Sequence, residues 1–255
     1  MTRTLTRPAA LATTARISSQ LRGDPRAVGL ILVVPPLLLL LLHQVFVDVP
    51  PAPDGATPFQ TIGPIMLAVI PMFLMFVITS VTMLRERVSG TLERILTTPL
   101  HRWNLVASYA LVFGTLAVLQ AGMLVTVLLG PLEVHIEGPV WAFLVLALLS
   151  GIIGVSFGLL ASAFARTEFQ AVQFMPVFIT PQVFLCGLLV PREQMPHLLD
   201  AIAGWLPMTW AVDVVRELLD EPTLGTDSWT RLAALTAAAL VALGLAAASM
   251  PRRTR

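Results

Sequence analysis

Six blocks of apolar residues, each about 20 or more residues long, constrain this 255-residue sequence more than any other feature. The blocks cover residues 27–47, 61–84, 103–130, 140–164, 169–190 and 229–250. A helix needs about 20 such residues to cross the roughly 30 Å hydrocarbon core of a bilayer. Because 56% of the residues are hydrophobic and 12% are charged, a water-soluble fold would leave much apolar surface exposed. The sequence therefore predicts an all-α membrane protein with six transmembrane helices, forming one domain over residues 1–255.

The distribution of arginine predicts the orientation of these spans, because basic residues near span ends are retained on the cytoplasmic side. All sixteen basic residues are Arg, and thirteen of them lie before the first span or after the second, fourth or sixth. The connectors on the other side hold Arg192 and Arg216, accompanied by several acids. We therefore expect a multi-pass protein with both termini in the cytoplasm.

The N-terminal segment, residues 1–26, is basic and carries scattered apolar residues. Leu11, Ile17 and Leu21 lie among Arg and Ser, which is a weak amphipathic pattern. Such a pattern suits a helix lying in the membrane interface, and a disordered tail is the alternative. We expect a cytoplasmic interfacial helix.

One motif raises the question of catalysis. Residues 154–158 match the G-x-S-x-G pattern of serine hydrolases, which needs a strand-to-helix turn and partner His and acid residues. The motif lies in the middle of a span, and small residues recur there every four positions, at Ser150, Gly154, Gly158 and Ser162. This spacing favours a ridge for close helix packing in lipid. An intramembrane hydrolase using Ser156 is the alternative.

A second motif concerns metal binding. Glu133, His135 and Glu137 alternate in an outer loop, so three potential zinc ligands would point to one side. The loop is short and the other three histidines are scattered along the chain. We therefore expect a solvated loop and no metal site.

The source of energy for any transport is constrained by two absences in the sequence. A P-loop needs a Lys that reaches the nucleotide phosphates, and this sequence contains no Lys. Proton-driven carriers place ionisable residues within their spans, whereas the span interiors here carry no carboxylate. A transporter of this sequence would take its energy from another subunit.

Polar side chains in spans two and five line a translocation path or join helices by hydrogen bonds. They are Thr79, Thr82, Gln173, Thr180 and Gln182.

Two connectors carry a resemblance to a known family. Residues 85–99, RERVSGTLERILTTP, form an amphipathic stretch with a proline stop and resemble the E-x3-GT-x-E-x-L-x2-TP pattern after the second span of ABC-2 type permeases. Residues 184–191, followed by Met195-Pro196, by Leu206-Pro207-Met208-Thr209 and by Arg216, resemble the closing signature of the same family. With the six-span layout, this resemblance covers most of the chain.

The resemblance implies a permease half of an ATP-binding cassette exporter, similar to the daunorubicin-resistance drug efflux permeases of actinobacteria. It would lie in a bacterial plasma membrane and pair with a second copy or a sister permease and with two ATP-binding subunits. ATP and Mg would bind to those subunits, so this chain would have no catalytic residues and no cofactor of its own. The cargo would be a drug, lipid or other amphipathic molecule, and no nucleic acid would be bound. An ion- or proton-coupled carrier or channel is the alternative.

The resemblance also implies roles for particular residues. The connector after span two would be a coupling helix that rests on the ATPase, with docking residues Glu86, Gly90, Thr91, Glu93 and Pro99. The segment before the last span would form short re-entrant helices that close the exit side as an outer gate. The residues of that gate would be Pro191, Pro196, Pro207 and Arg216.

Overall fold

The computed structural model describes residues 6–51, 57–89 and 102–249, and within these ranges the regular structure is entirely helical. Three parts can be distinguished: an N-terminal helix, a set of long helices, and a run of short helices before the last long one. The helices are α1 (Thr6–Arg22), α2 (Pro25–Phe46), α3 (Pro58–Val88), α4 (Arg102–Leu129), α5 (Val140–Phe164), α6 (Glu168–Gln173), α7 (Met175–Phe178), α8 (Thr180–Leu185), α9 (His197–Ala203), α10 (Pro207–Asp220) and α11 (Thr226–Ser249), with a 3-10 turn at Arg192–Gln194 before α9.

Five helices in the described part of the chain are long and apolar enough to cross a membrane: α2 from Val28, α3, α4, α5 and α11. The short helices α9 and α10 meet at an angle of 88° and would make a sixth span if the bent pair were counted as one. This architecture confirms the expected all-α membrane protein. The long helices begin and end within about four residues of the predicted spans.

The predicted span at residues 169–190 is an interrupted segment in place of a continuous helix. It consists of α6, α7 and α8, separated at Phe174 and Ile179. Pro176 and Pro181 each occupy the second position of a new helix. A proline has no N–H to donate to the carbonyl four residues earlier, and its ring clashes with that carbonyl. The two prolines therefore break the segment into three short helices.

The central contact of the fold joins α3 to α5 through the small-residue ridge. Gly154 packs directly on the backbone carbonyl of Met72, and a Cβ on Gly158 would lie 2.6 Å from the carbonyl oxygen of Phe76. Ser150 and Ser162 of the same ridge are also buried. In lipid, helices associate by van der Waals packing, so small residues that let two backbones approach closely stabilise the pair. The packing interpretation of this ridge is confirmed.

The N-terminal segment forms the expected helix, α1, and it packs near the start of α2, the end of α3 and the start of α4. Ile17 is 2% exposed and belongs to an apolar cluster with Ile31 of α2, Met83 of α3 and Leu105 of α4. Leu11, in contrast, is 70% exposed. One face of α1 is therefore anchored in the protein.

Tryptophan side chains mark both ends of the long helices. Trp141 and Trp229 begin α5 and α11 at the same end of the bundle, with ring centroids 6.2 Å apart. Trp103 begins α4 at the opposite end, and all three side chains are about half exposed. Tryptophan is enriched at membrane–water interfaces because its ring is apolar and its N–H is polar. The three tryptophan positions therefore fit the two membrane–water interfaces of the predicted spans.

Candidate functional site

Three consecutive charged residues, Arg85, Glu86 and Arg87, occupy the C-terminal end of α3, which is its predicted inner end. They lie at the last turn of this helix, immediately before residues 90–101. Successive residues of an α-helix point about 100° apart, so three neighbours face three directions. Each of the three side chains accordingly contacts a different element of the fold.

Glu86 faces α1 and is buried. Its Oε1 lies 2.8 Å from Nη1 of Arg16, with 6% of the Glu86 side chain and 28% of the Arg16 side chain exposed. Tyr109 of α4, which is fully buried, lies beside this pair. An ion pair removed from water requires close geometry to offset the desolvation of its charges. This pair therefore fixes α1 against the end of α3.

Arg85 and Arg87 contact the elements on the other sides. Arg85 forms a bidentate ion pair with Glu168 at the start of α6, with N–O distances of 2.7 and 2.9 Å. The Arg85 guanidinium holds the pKa of the Glu168 carboxyl below its usual range. Arg87 donates to the backbone carbonyl of Ser162 in the last turn of α5. Carbonyls there have no partner within their own helix, so Arg87 caps α5.

The segment between α8 and α11, which we call the outer segment after its predicted side, contains the predicted gate residues. Pro191 and Pro196 precede the 3-10 turn and α9, and Pro207 is the first residue of α10, where its missing N–H is tolerated. Arg216 of α10 donates to the backbone carbonyl of Gly187, which has φ +86°. A glycine adopts this conformation without steric cost. The four residues thus shape one continuous segment of short helices.

Ion pairs connect this outer segment to the last long helix. Asp213 of α10 is the shared partner, lying 3.2 Å from Arg192 and 3.6 Å from Arg231 at the start of α11. Arg192 also contacts Asp200 of α9 at 2.7 Å, and Arg231 approaches Glu217 at 3.8 Å. The Asp213 side chain is only 12% exposed. Sequence analysis did not single out Asp213 or Arg231, although Asp213 and Glu217 are four residues apart and share one face of α10.

A sequence profile of the ABC-2 type transporter family matches residues 9–219, which extend from α1 to the end of α10. The chain belongs to the ABC-2 type transporter family. This membership confirms the resemblance that the motifs at residues 85–99 and 184–216 indicated. The ABC-2 assignment also fits the observed set of long helices, because a transmembrane subunit needs several spans.

Individual relatives of this ABC-2 chain are about 30% identical to it over aligned stretches that cover less than half of each relative. The probable multidrug ABC transporter permease YbhR of Escherichia coli (strain K12) is 28% identical over 155 residues, which are 61% of this chain and 42% of that protein. The linearmycin resistance permease protein LnrN of Bacillus subtilis (strain 168) is 29% identical over 151 residues, 57% of this chain and 38% of that protein. The chain thus spans less than half the length of these curated relatives.

The predicted docking residues of the ABC-2 coupling helix are only partly described. Glu86 is buried against Arg16, whereas Gly90, Thr91, Glu93 and Pro99 lie outside the described residues. The described structure therefore shows the helix that leads into this segment. The docking role stays a prediction for all five.

The predicted path residues occupy different environments. Thr79 is fully buried, and its Cβ lies 3.1 Å from the position of a Cβ added to Gly158. Gln182 is buried and hydrogen bonds to two backbone groups, while Gln173 is exposed and Thr82 and Thr180 are half-buried. Gln182 thus joins α8 to the start of α10 by a hydrogen bond, whereas the Thr79 hydroxyl is buried without a hydrogen-bond partner among the described residues. A path role for these five residues stays a prediction.

The two remaining motifs are the G-x-S-x-G pattern around Ser156 and the alternating acids and histidine at residues 133–137. The Ser156 hydroxyl is buried and donates to the carbonyl of Ile152 at 2.7 Å, one turn earlier in α5. Within the described ranges, no three His, Cys, Asp or Glu residues are placed to hold a metal ion, and this includes Glu133, His135 and Glu137. The Ser156 hydroxyl is thus already hydrogen bonded within its own helix.

Proposed function

We propose that this chain is the permease subunit of an ATP-driven exporter for an amphipathic cargo such as a drug or lipid. The observation that carries the proposal is the family match over residues 9–219, since ABC-2 chains form the transmembrane part of such transporters. Relatives named as multidrug and linearmycin resistance permeases support export of amphipathic compounds. The cargo would cross between helices of the bundle and leave at the outer segment, residues 191–216.

Energy for this transport would come from a separate ATP-binding subunit. The sequence contains no Lys and therefore supplies no P-loop, so ATP and Mg would bind on the partner. The inner end of α3 leads directly into residues 90–101, where the resemblance places the coupling helix. The assembly would contain two ATP-binding subunits and two permease chains, either identical or sister chains. It would lie in a bacterial plasma membrane with both termini of this chain in the cytoplasm.

Purification of the complex tests this proposal. The chain, expressed with candidate ATP-binding cassette subunits from the same organism, is expected to copurify with one of them and to alter its rate of ATP hydrolysis. Glu93→Arg or Gly90→Pro should remove this effect, because a reversed charge or a rigid φ would disturb the coupling helix. Transport by the chain in vesicles that contain no ATP-binding subunit would refute the proposal.

The same vesicles distinguish an ATP-driven exporter from a carrier. Transport by the proposed complex should require ATP and should survive an ionophore that dissipates the proton gradient. A carrier would show the opposite dependence. The missing carboxylates in the span interiors favour the ATP-driven mechanism.

A further inference from the structure

Helix α10 is held at both ends and along one side by other parts of the fold. Gln182 of α8 accepts a hydrogen bond from its first turn. In its last turn, the carbonyl of Leu218 accepts a hydrogen bond from the N–H of Gly138 at 2.9 Å. Asp213 joins its side to Arg231 of α11. Because seven side chains of α10 are also buried in the core, this helix is a fixed element of the outer segment.

The residues that precede α10 are packed far less. Within residues 188–206, which we call the α9 flap, Ala203 is the one buried residue. The apolar side chains of Leu198, Ile202 and Trp205 are exposed, Trp205 to 81%. A segment with few buried apolar contacts opens at a lower free energy than one with many. The α9 flap is therefore expected to open more easily than α10.

Both ends of the α9 flap are attached to side chains of α10. Gly187, just before the flap, has φ +86°, and its carbonyl accepts a hydrogen bond from Arg216. Near the other end, the carbonyl of Gly204 accepts a hydrogen bond from Nε1 of Trp210 at 2.8 Å. The chain turns by 88° between α9 and α10 at this point. The flap can therefore swing as one unit about two anchored ends.

Arg192 is the side chain that holds the middle of the flap to α10. Its Nη2 lies 2.7 Å from Oδ1 of Asp200 on α9, and its Nη1 lies 3.2 Å from Oδ2 of Asp213 on α10. Among the described residues, the ion pairing between the flap and α10 passes through Arg192. The Asp213 side chain is mostly buried, so water screens its attraction to Arg192 less than it screens a surface pair. Loss of Arg192 should therefore release the flap.

We infer that the α9 flap is the moving part of the outer gate, that α10 is its fixed frame, and that Arg192 locks the flap to this frame. The role in export rests on the proposed function. The inference divides the predicted gate residues: Pro191 and Pro196 lie on the flap, whereas Pro207 and Arg216 belong to the frame. Opening of a lid of this kind controls access while the surrounding fold stays in place.

Hydrogen exchange of the purified chain tests the division into flap and frame. The wild-type flap should exchange about tenfold faster than residues 207–220, because it has fewer buried contacts. Arg192→Gln should accelerate exchange in the flap by about a further fivefold and leave the frame within about twofold of wild type. The matched control is Arg231→Gln, which removes a different arginine from Asp213 without removing a contact of the flap.

Two outcomes of the exchange experiment would overturn the inference. One is equal exchange in the flap and the frame of the wild-type chain. The other is an acceleration of the flap by Arg231→Gln as large as that by Arg192→Gln, which would show that Arg192 is not the specific lock. The measurement uses the permease chain alone, so it decides this part of the inference even if no ATP-binding subunit is bound.

Spin labels on the complex with an ATP-binding subunit test the movement itself. His197→Cys places the label on the flap, and Asp220→Cys places it at an exposed position of the frame. The wild-type chain serves as the unlabelled control, because its one cysteine, Cys186, is buried. Addition of ATP and Mg should change the spectrum of the flap label and leave that of the frame label unchanged.

A spectral change of equal size at both positions would overturn the inference. So would an unchanged flap label in vesicles where the labelled complex transports its cargo with ATP. Failure of the wild-type chain to bind any ATP-binding subunit would instead refute the proposed function.

Discussion

Gln182 of α8 caps the start of α10 at Met208, although a 3-10 turn and α9 separate the two residues along the chain. Its side-chain Oε1 accepts a hydrogen bond from the backbone N–H of Met208 at 3.2 Å. Its Nε2 donates to the carbonyl of Phe178 at 2.7 Å. The first N–H groups of a helix have no carbonyl partner within it, so a buried helix start needs such an acceptor. Gln182 thus joins the interrupted segment to the outer helices.

Gln182→Leu should lower the free energy of unfolding by about 1–3 kcal/mol, because it leaves the buried N–H of Met208 without an acceptor. Thermal unfolding in detergent checks this expectation. Gln173→Leu is the control, since Gln173 is exposed and lies in the same segment. Equal midpoints for the two variants would show that the cap does not stabilise the fold.

Gly158→Val should disrupt the contact between α3 and α5. A Cβ at this position would lie 2.6 Å from the carbonyl of Phe76, and a larger side chain would force the helices apart. Overpacking of this kind costs about 1–3 kcal/mol or more. Gly122→Val is the matched control, because a Cβ there meets nothing within 4 Å. Yield of monodisperse protein and the thermal midpoint are the measurements, and equal losses in both variants would contradict the packing role.

Asp213→Asn should loosen the outer segment from α11. The change removes the negative charge that lies 3.2 Å from Arg192 and 3.6 Å from Arg231. A loss of about 1–3 kcal/mol in local stability is expected for a partly buried charged partner. Hydrogen exchange of residues 191–220 should accelerate, whereas Asp220→Asn, at an exposed position of the same helix, should leave it unchanged. Unchanged exchange in Asp213→Asn would contradict the proposed role of Asp213 in this network.

The Arg85–Glu168 pair should make stability depend on pH. Arg85 lowers the pKa of Glu168 in the folded state, so the folded value lies below the unfolded one. The contribution of this ion pair to stability is therefore fully present above the unfolded pKa of Glu168, about 4.3. It is lost as pH falls through the folded pKa of the same group. The difference in thermal midpoint between wild type and Glu168→Gln should be fully present at about pH 7 and should shrink as pH falls below about 4.3 and through the lower folded pKa. High salt should reduce it at pH 7, because the pair is exposed.

Much of the fold follows from the sequence because lipid imposes a simple requirement. Each span must satisfy its backbone hydrogen bonds internally, so long apolar blocks become helices wherever they occur. This reasoning located α2, α3, α4, α5 and α11. It predicted the ridge at Gly154 and Gly158 as well, because a spacing of four residues puts small side chains on one helix face.

Fewer of the contacts at the candidate site could be predicted from the sequence. The resemblance gave Glu86 a docking role, and the structure pairs it with Arg16, 70 positions away. Asp213 lies among several acids of one connector, and nothing in its spacing shows that it meets Arg231. Ion pairs between distant segments depend on how helices are arranged in space. A local pattern does not contain that information.

By itself, the sequence determined that the chain spans a membrane and that its helices pack through small residues. The connectors of the six blocks also determined its family resemblance. Only the tertiary structure decided which partner each charged residue takes, and where the segment at 168–185 breaks into α6, α7 and α8. The physical reason is that burial in lipid depends on composition, which is local. A partner for Arg85, Glu86 or Arg87 depends on which helix end lies beside each one.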